Sequence, residues 1–274
     1  MTLALSIKVN DGIVLATDSA TTITQPGANG SQFLNVYENA NKIFHLHKGL
    51  PIGIITWGNG GIGNASIGTV IKDFRKKIMT EIFSDQPYTL ESLSMQFKDY
   101  ILPLYNEAYN GIQPQSRPFT GFTISGYSHN ESQPEEWRIN YESGDCNVTQ
   151  LSSTQRTGAS WSGQPEALNR LVKGYSTGLE QVLTMCGIER AKIGEIIKVA
   201  DENLQTPFVI PSMPIADVID LAEYFIDLTT KYVKYSPGIQ SVGGPVEIAS
   251  ITKHEGYKWI KRKLYFNKSI NMEG

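Results

Sequence analysis

The sequence predicts an α+β fold, a four-layer αββα sandwich in which two antiparallel sheets are stacked between layers of helix. Three observations lead there. Runs rich in β-branched and aromatic residues alternate with segments of helical periodicity, in the order strands, helices, strands, helices, strands. Turn-forming residues separate neighbouring strand runs at short range, as hairpin pairing requires. No linker rich in Pro or Ser divides the 274 residues and neither half looks self-sufficient, so a single domain over 1–274 is expected rather than a Rossmann unit, with 260–274 as an interface extension.

The elements follow in order. LALSIKV (3–9) and GIVLATDS (12–19) read as strands joined by Asn10-Asp11-Gly12, a turn able to supply positive φ. The stretch from Thr21 to Ala40 is rich in Gly, Thr, Ser and Asn and reads mostly as a loop. NKIFHLH and LPIGIITWG form a second strand pair around His47-Lys48-Gly49, and the four strands make a first antiparallel sheet. Ile67, Val70, Ile71, Phe74 and Ile78 then recur at three- and four-residue spacing, the mark of an amphipathic helix. A second helix carries Leu90, Leu93, Phe97, Tyr100, Ile101 and Leu104, with Thr89 as N-cap and Pro103 expected to bend or interrupt it. The two helices are expected to cover the first sheet.

Strand signals return in PFTGFTISGYS, EEWRINYES and CNVTQLSSTQRTGAS. A helix is expected from about Pro165, with Ala167, Leu168, Leu171, Val172 and Tyr175 on one face, and a short one near IGEIIKVADENL. PIADVIDLAEYFIDLTTKYV is the strongest helix of the second half, with Pro214 at its first turn. PVEIASITKHEG and YKWIKRKLY read as closing strands.

Composition narrows the function. Lys+Arg 24 against Asp+Glu 27 gives a formal charge of −3 with no arginine tract, which disfavours broad nucleic-acid binding but leaves room for a local basic patch. No apolar run reaches the roughly 20 residues a membrane span needs, and Lys8, Asn10 and Asp11 interrupt the N-terminal apolar run too early for a signal peptide. A cytoplasmic protein with no membrane partner is expected. Cys146 and Cys186 make neither a disulfide framework nor a clustered metal site. His45 and His47 share a strand face without a third ligand, so neither metal nor cofactor is expected. Asn64, Asn130, Asn147 and Asn267 head glycosylation sequons, read here as chance matches.

GNGGIGN (58–64) follows a strand and precedes a helix, as a phosphate-binding loop does, yet it lacks the Lys-Ser/Thr of a Walker motif. A tight turn and the wall of a substrate cleft are the stronger readings. The opening MTLALSIKVNDGIVLATDS offers different chemistry. A terminal Thr joins a hydroxyl to an α-amine of pKa about 7.7–8.0, and that amine can serve as the base for its own hydroxyl. A nearby Lys keeps the amine neutral and stabilises an alkoxide-like transition state, and an Asp holds the Lys charged. Thr2, Asp18 and Lys42, at the ends of adjacent strands, are the candidates.

TLALSIKVNDGIVLATDSATT, NKIFHL and GIITWGNGG together resemble the first four strands of a proteasome β-type subunit of the N-terminal-nucleophile hydrolase superfamily. The resemblance continues in broken form to EIASITKHEGYKWI. It implies Thr2 as nucleophile, Asp18 as first catalytic aspartate and Lys42 as central lysine. It further implies Gly58 as oxyanion and substrate-backbone contact, Ser162 as the serine that orients the terminal amine, and Ser241 as the last serine of the family's Asp-x-x-Ser-Gly motif. The implied activity is hydrolysis of a peptide or small amide once Met1 is removed, in a homo-oligomer. Two positions depart from the pattern. Gly238 stands where the family has its second catalytic aspartate, and Val242 interrupts the expected Ser-Gly. With Met1 attached, Thr2 has no free amine, so an inactive subunit that builds a ring or cage is the alternative.

Overall fold

The computed structural model describes residues 2–27, 30–81, 87–151 and 156–266. Strands β1 (Leu3–Val9) and β2 (Gly12–Thr17) pair antiparallel around Asn10 and Asp11. Neither turn residue takes a positive φ. Gly12 is needed for space instead, because a Cβ there would lie 2.4 Å from Ile251 O on the neighbouring strand.

The segment read as a loop is largely a hairpin, β3 (Thr21–Gly27) with β4 (Gly30–Tyr37). Thr21, Thr22, Ile23 and Thr24 are β-branched and favour extended backbone, while both Gly of the segment, Gly27 and Gly30, lie close together. Next come β5 (Ile43–His45) and β6 (Ile52–Gly58), then a small hairpin of β7 (Gly61–Ile62) and β8 (Ala65–Ser66). The later strands are β9 (Thr120–Gly126), β10 (Glu135–Glu142), β11 (Asp145–Gln150), β12 (Gly158–Gly163), β13 (Glu247–Thr252) and β14 (Gly256–Lys261).

These strands build two five-stranded antiparallel sheets, ordered β12-β1-β2-β13-β14 and β11-β10-β9-β6-β5. The first four expected strands therefore divide between the sheets. The long third strand signal also splits, its halves β11 and β12 going to different sheets.

Helices α1 (Ile67–Glu81) and α2 (Leu90–Ala108) cover the second sheet, not the sheet of β1 and β2. All five apolar positions expected on α1 are buried. Thr89 caps α2 by accepting from Ser92 N at 3.1 Å, and the helix runs on through Pro103. Leu104, expected inside, is exposed, and the buried face passes through Tyr105 instead. The short α3 (Glu166–Leu168) passes into a wide turn ending at Gly174, which has φ +79, so Tyr175 falls beyond the helix. Two further helices, α4 (Leu179–Met185) and α5 (Arg190–Asn203), precede α6 (Ile215–Tyr235), which begins after Pro214.

Three cores result. Helices α1 and α2 pack on the second sheet through Phe74, Phe97, Ile101 and Phe122. Helix α6 lays Val218, Ala222, Phe225 and Ile226 on Leu3, Leu5 and Ile7 of β1. Burying a side chain such as Phe225 stabilises the fold by about 2–3 kcal/mol. The third core lies between the sheets and holds Ala4, Leu15, Trp57 and Ile251. Strand β1 is thus buried on both faces, which fixes its register and holds Thr2 at a set place. Met1 and 267–274, with the end of the expected interface extension, lie outside the described residues.

Candidate active site

The site starts from strand ends. Thr2 immediately precedes β1 and is 5% exposed, and Asp18 immediately follows β2 in the same sheet. Lys42 immediately precedes β5 in the facing sheet. Lys42 Nζ donates to Asp18 Oδ1 at 2.8 Å and to Ala20 O at 2.5 Å, so two of its three protons are engaged. Asp18 Oδ1 also accepts from Leu3 N at 2.9 Å, while Oδ2 accepts from Ala20 N at 3.0 Å and Gly243 N at 3.1 Å. One carboxylate therefore ties the start of β1, the end of β2 and the turn before β13 to a single ammonium. Burial lowers the Lys42 pKa below 10.5, and the Asp18 charge and hydrogen bond oppose that fall.

Thr2, Lys42 and Gly58 line one cleft of about 400 Å³. Gly58, Asn59, Gly60 and Gly61 form part of its wall, so the glycine loop serves as a cleft wall. Gly58 has φ +89, and a Cβ on it would lie 2.6 Å from Phe119 O. Gly60 O accepts from Ile67 N at 3.0 Å, which fixes the loop to the first turn of α1. Thr21, Thr22 and Lys72 also line the cleft, and sequence reasoning missed them because nothing in their spacing sets them apart.

Ser162 lies in β12 opposite Ala4, and Gly163 lies opposite Leu3. The helix after it has Pro165 at its N-cap position without a side-chain cap bond, so Ser162 does not cap that helix. Gly163 has φ +94, and a Cβ there would come within 1.8 Å of Thr2 O. No other residue type fits against Thr2 at that point.

Ser241 is 2% exposed, and its Oγ has no hydrogen-bond partner among the described residues. Its segment reaches the site through the backbone, since Gly243 O accepts from both Ser19 N and Ala20 N at 2.9 Å. Gly238 is exposed, has φ +121, and a Cβ there would meet nothing within 4 Å. Asp18 is a carboxylate that touches the 241–244 turn, through Gly243 N. Lys263 was also missed. It pairs with Glu247 at 2.8 Å and donates to Ser19 Oγ at 2.6 Å and Ala40 O at 2.9 Å, tying the C-terminal segment to both flanks of the Asp18–Lys42 pair. No group of three or more His, Cys, Asp or Glu side chains able to hold a metal occurs among the described residues. No helix among them is long and apolar enough to cross a membrane.

Solved structures of Anbu, the ancestral β-subunit, superpose on nearly the whole chain. The Yersinia bercovieri protein gives a TM-score of 0.54 at 12% identity, covering 95% of this chain and 88% of its own. The Gly-1 mutant from Hyphomicrobium sp. strain MC1 gives 0.55 at 14% identity, covering 96% and 86%. The helical assembly of the Anbu complex from Pseudomonas aeruginosa gives 0.55 at 14% identity, covering 98% and 90%. The chain has the Anbu fold. At this identity the likeness speaks for the proteasome-like αββα sandwich and not for the chemistry of Anbu. No family model and no curated protein sequence matches the chain.

Proposed function

We propose that the chain is a threonine-type amide or peptide hydrolase whose nucleophile is Thr2 once Met1 is removed. The supporting observation is the convergence of Thr2, on the cleft wall, with a buried Lys42–Asp18 pair whose carboxylate is hydrogen-bonded to the backbone at Leu3. In this reading Thr2 Oγ attacks the substrate carbonyl and its proton passes to the terminal α-amine. Backbone N–H at the Gly58 end of β6 stabilises the tetrahedral oxyanion. The amine hands the proton to the leaving amine, an ester on Thr2 remains, and the amine then activates the water that hydrolyses it. Lys42 supplies the positive charge, Asp18 positions it, and Ser162 and Ser241 complete the surroundings of the amine. Peptides are the first substrate class and small amides the second.

Gly238 favours a second reading, a non-catalytic subunit that assembles through helix faces. It is exposed and offers no carboxylate where the resembled family has one. Self-association suits both readings: Val182 and Met185 on α4 and Val199 on α5 are exposed apolar side chains, and a structural neighbour is a helical assembly. Intact-protein mass with a threonine-directed electrophile separates the two. Loss of one Met and a single adduct that Thr2→Ala abolishes support the hydrolase. A Met1-free protein that stays unlabelled supports the scaffold.

A further inference from the structure

On the other side of β1 from the α6 core, the space between the sheets changes character along the strand. Ala4 belongs to the apolar core between the sheets, while Ser6 and Lys8, farther along β1, are polar. Ser6 Oγ donates to Glu136 Oε1 on β10, and the Glu136 charge acts on both Lys8 and Arg138. Beyond this buried group, lined by residues of β12 and by Arg138 of β10, lies a cavity of about 510 Å³.

Among the described residues four cationic side chains line that cavity, Lys8, Arg138, Arg156 and Lys173, and no carboxylate does. They come from four separate stretches of a chain whose net charge is −3, so the positive charge is local. Carboxylates outside the cavity wall act on three of the four, Glu136 and Glu135 on Lys8, Glu136 on Arg138 and Asp201 on Lys173. Glu136 sits behind Lys8 and Arg138 and is hydrogen-bonded to Ser6, and Lys173 reaches Asp201 at 3.4 Å. Arg138 lies 5.4 Å from the Trp57 ring, which restricts its guanidinium plane, and its Nε is buried without an acceptor among the described residues. Ser160, Thr157 and Asn169 add uncharged polar groups to the wall. Asn169 Oδ1 accepts from Trp161 Nε1 at 2.9 Å, which fixes the orientation of both side chains.

We propose that this cavity is a binding site for a compact, multiply charged oxyanion bearing phosphoryl or carboxylate groups. Arginine forks match such oxygens two at a time, lysines add positive point charge, and a bound oxyanion would relieve the repulsion among the cations. The volume suits a small ligand held on several sides. The site is separate from the Thr2 cleft. A small intervening space shares Trp57 with that cleft and Arg138 and Ser160 with this cavity. The proposal does not depend on the hydrolase reading.

The test titrates inorganic pyrophosphate and citrate into the full chain, followed by calorimetry and by the fluorescence of Trp161 on the cavity wall. Saturable one-to-one binding that weakens with added salt is expected. Arg156→Ala and Lys173→Ala, both outside the core, should each weaken it about tenfold. Lys76→Ala, at an exposed position of α1, should leave it unchanged. Binding of pyrophosphate alone assigns a phosphoryl ligand, citrate alone a carboxylate ligand, and both together the shared chemistry. Absence of saturable binding up to about 10 mM, or binding that both cavity variants leave intact, overturns the site. A change of oligomeric mass in those variants without anion binding overturns it too, by assigning the cations to a second copy of the chain.

Discussion

Lys42 Nζ and Asp18 Oδ1 lie 2.8 Å apart with both side chains buried, and they bring together strand ends from the two stacked sheets. Truncating one partner of such a pair leaves the other buried and uncompensated, at a cost of about 3–5 kcal/mol. The three backbone N–H groups on Asp18 keep Lys42→Ala at the lower end, about 3 kcal/mol. Urea unfolding of Lys42→Ala, Asp18→Asn and Lys42→Ala/Asp18→Asn should show the double variant less destabilised than the sum of the singles. Additive losses would mean that the two groups do not stabilise each other.

The same pair sets a pH dependence. Burial holds the Lys42 pKa below its usual 10.5, against the pull of Asp18. Between the lowered value and 10.5 the unfolded chain binds more protons than the folded chain, so the Lys42 contribution to stability rises with pH across that window. Below the window the cost of keeping the buried ammonium charged is present in full. Proposed catalysis runs the opposite way, because it needs the ammonium. The alkaline limb of the amide-hydrolysis profile should therefore fall below pH 10.5, and Lys42→Arg should lose that limb in whatever activity it retains. Profiles of kcat against pH for the two proteins decide this.

Gly163 is where the backbone of β12 meets the nucleophile. Its φ of +94 disfavours any side chain, and a Cβ would have to displace Thr2 O from 1.8 Å. Gly163→Ala should cost about 1–3 kcal/mol from backbone strain alone. It should also shift Thr2, so electrophile labelling should fall by more than the loss of folded protein explains. Gly194→Ala, on α5, is the control, since its Cβ would meet nothing within 4 Å and its backbone lies outside the left-handed region. Equal labelling of the two variants, corrected for folded fraction, would remove Gly163 from the site.

Much of this architecture is legible in the sequence because it rests on local periodicity. The buried faces of α1 and α6 follow from three- and four-residue spacing, and the Thr89 cap from residue chemistry. Sheet assignment is not local. β1, β2, β5 and β6 look alike as sequence, and only long-range pairing with β12, β13 and β9 divides them. The segment that reads as a loop hides a hairpin because its β-branched residues are interspersed with loop-favouring Gly and Asn. Within the site, Asp18 and Lys42 are readable as strand-end charges, whereas the Asp18 contact to Gly243 N and the Lys263 contacts at Ser19 and Ala40 join residues more than 220 positions apart. The basic cavity escapes composition for the same reason. Its four cations are dispersed along a chain with a slight acidic excess.

Ser241 separates a structural from a functional reading with one substitution. Its hydroxyl is buried and has no partner among the described residues, so no hydrogen bond from them offsets its desolvation cost. Ser241→Ala removes the oxygen and leaves a small apolar group in a buried place, and stability should be unchanged or rise by about 1 kcal/mol. A serine kept only for folding would give the reverse sign. If Ser241 assists the Thr2 amine, hydrolysis by Met1-free protein should fall by about tenfold or more while the urea midpoint does not. The acidic limb of the rate profile should move as well, because that limb reports the amine. A variant that keeps both the rate and its pH profile would take Ser241 out of the site and leave Asp18, Lys42 and Thr2 as its chemical core.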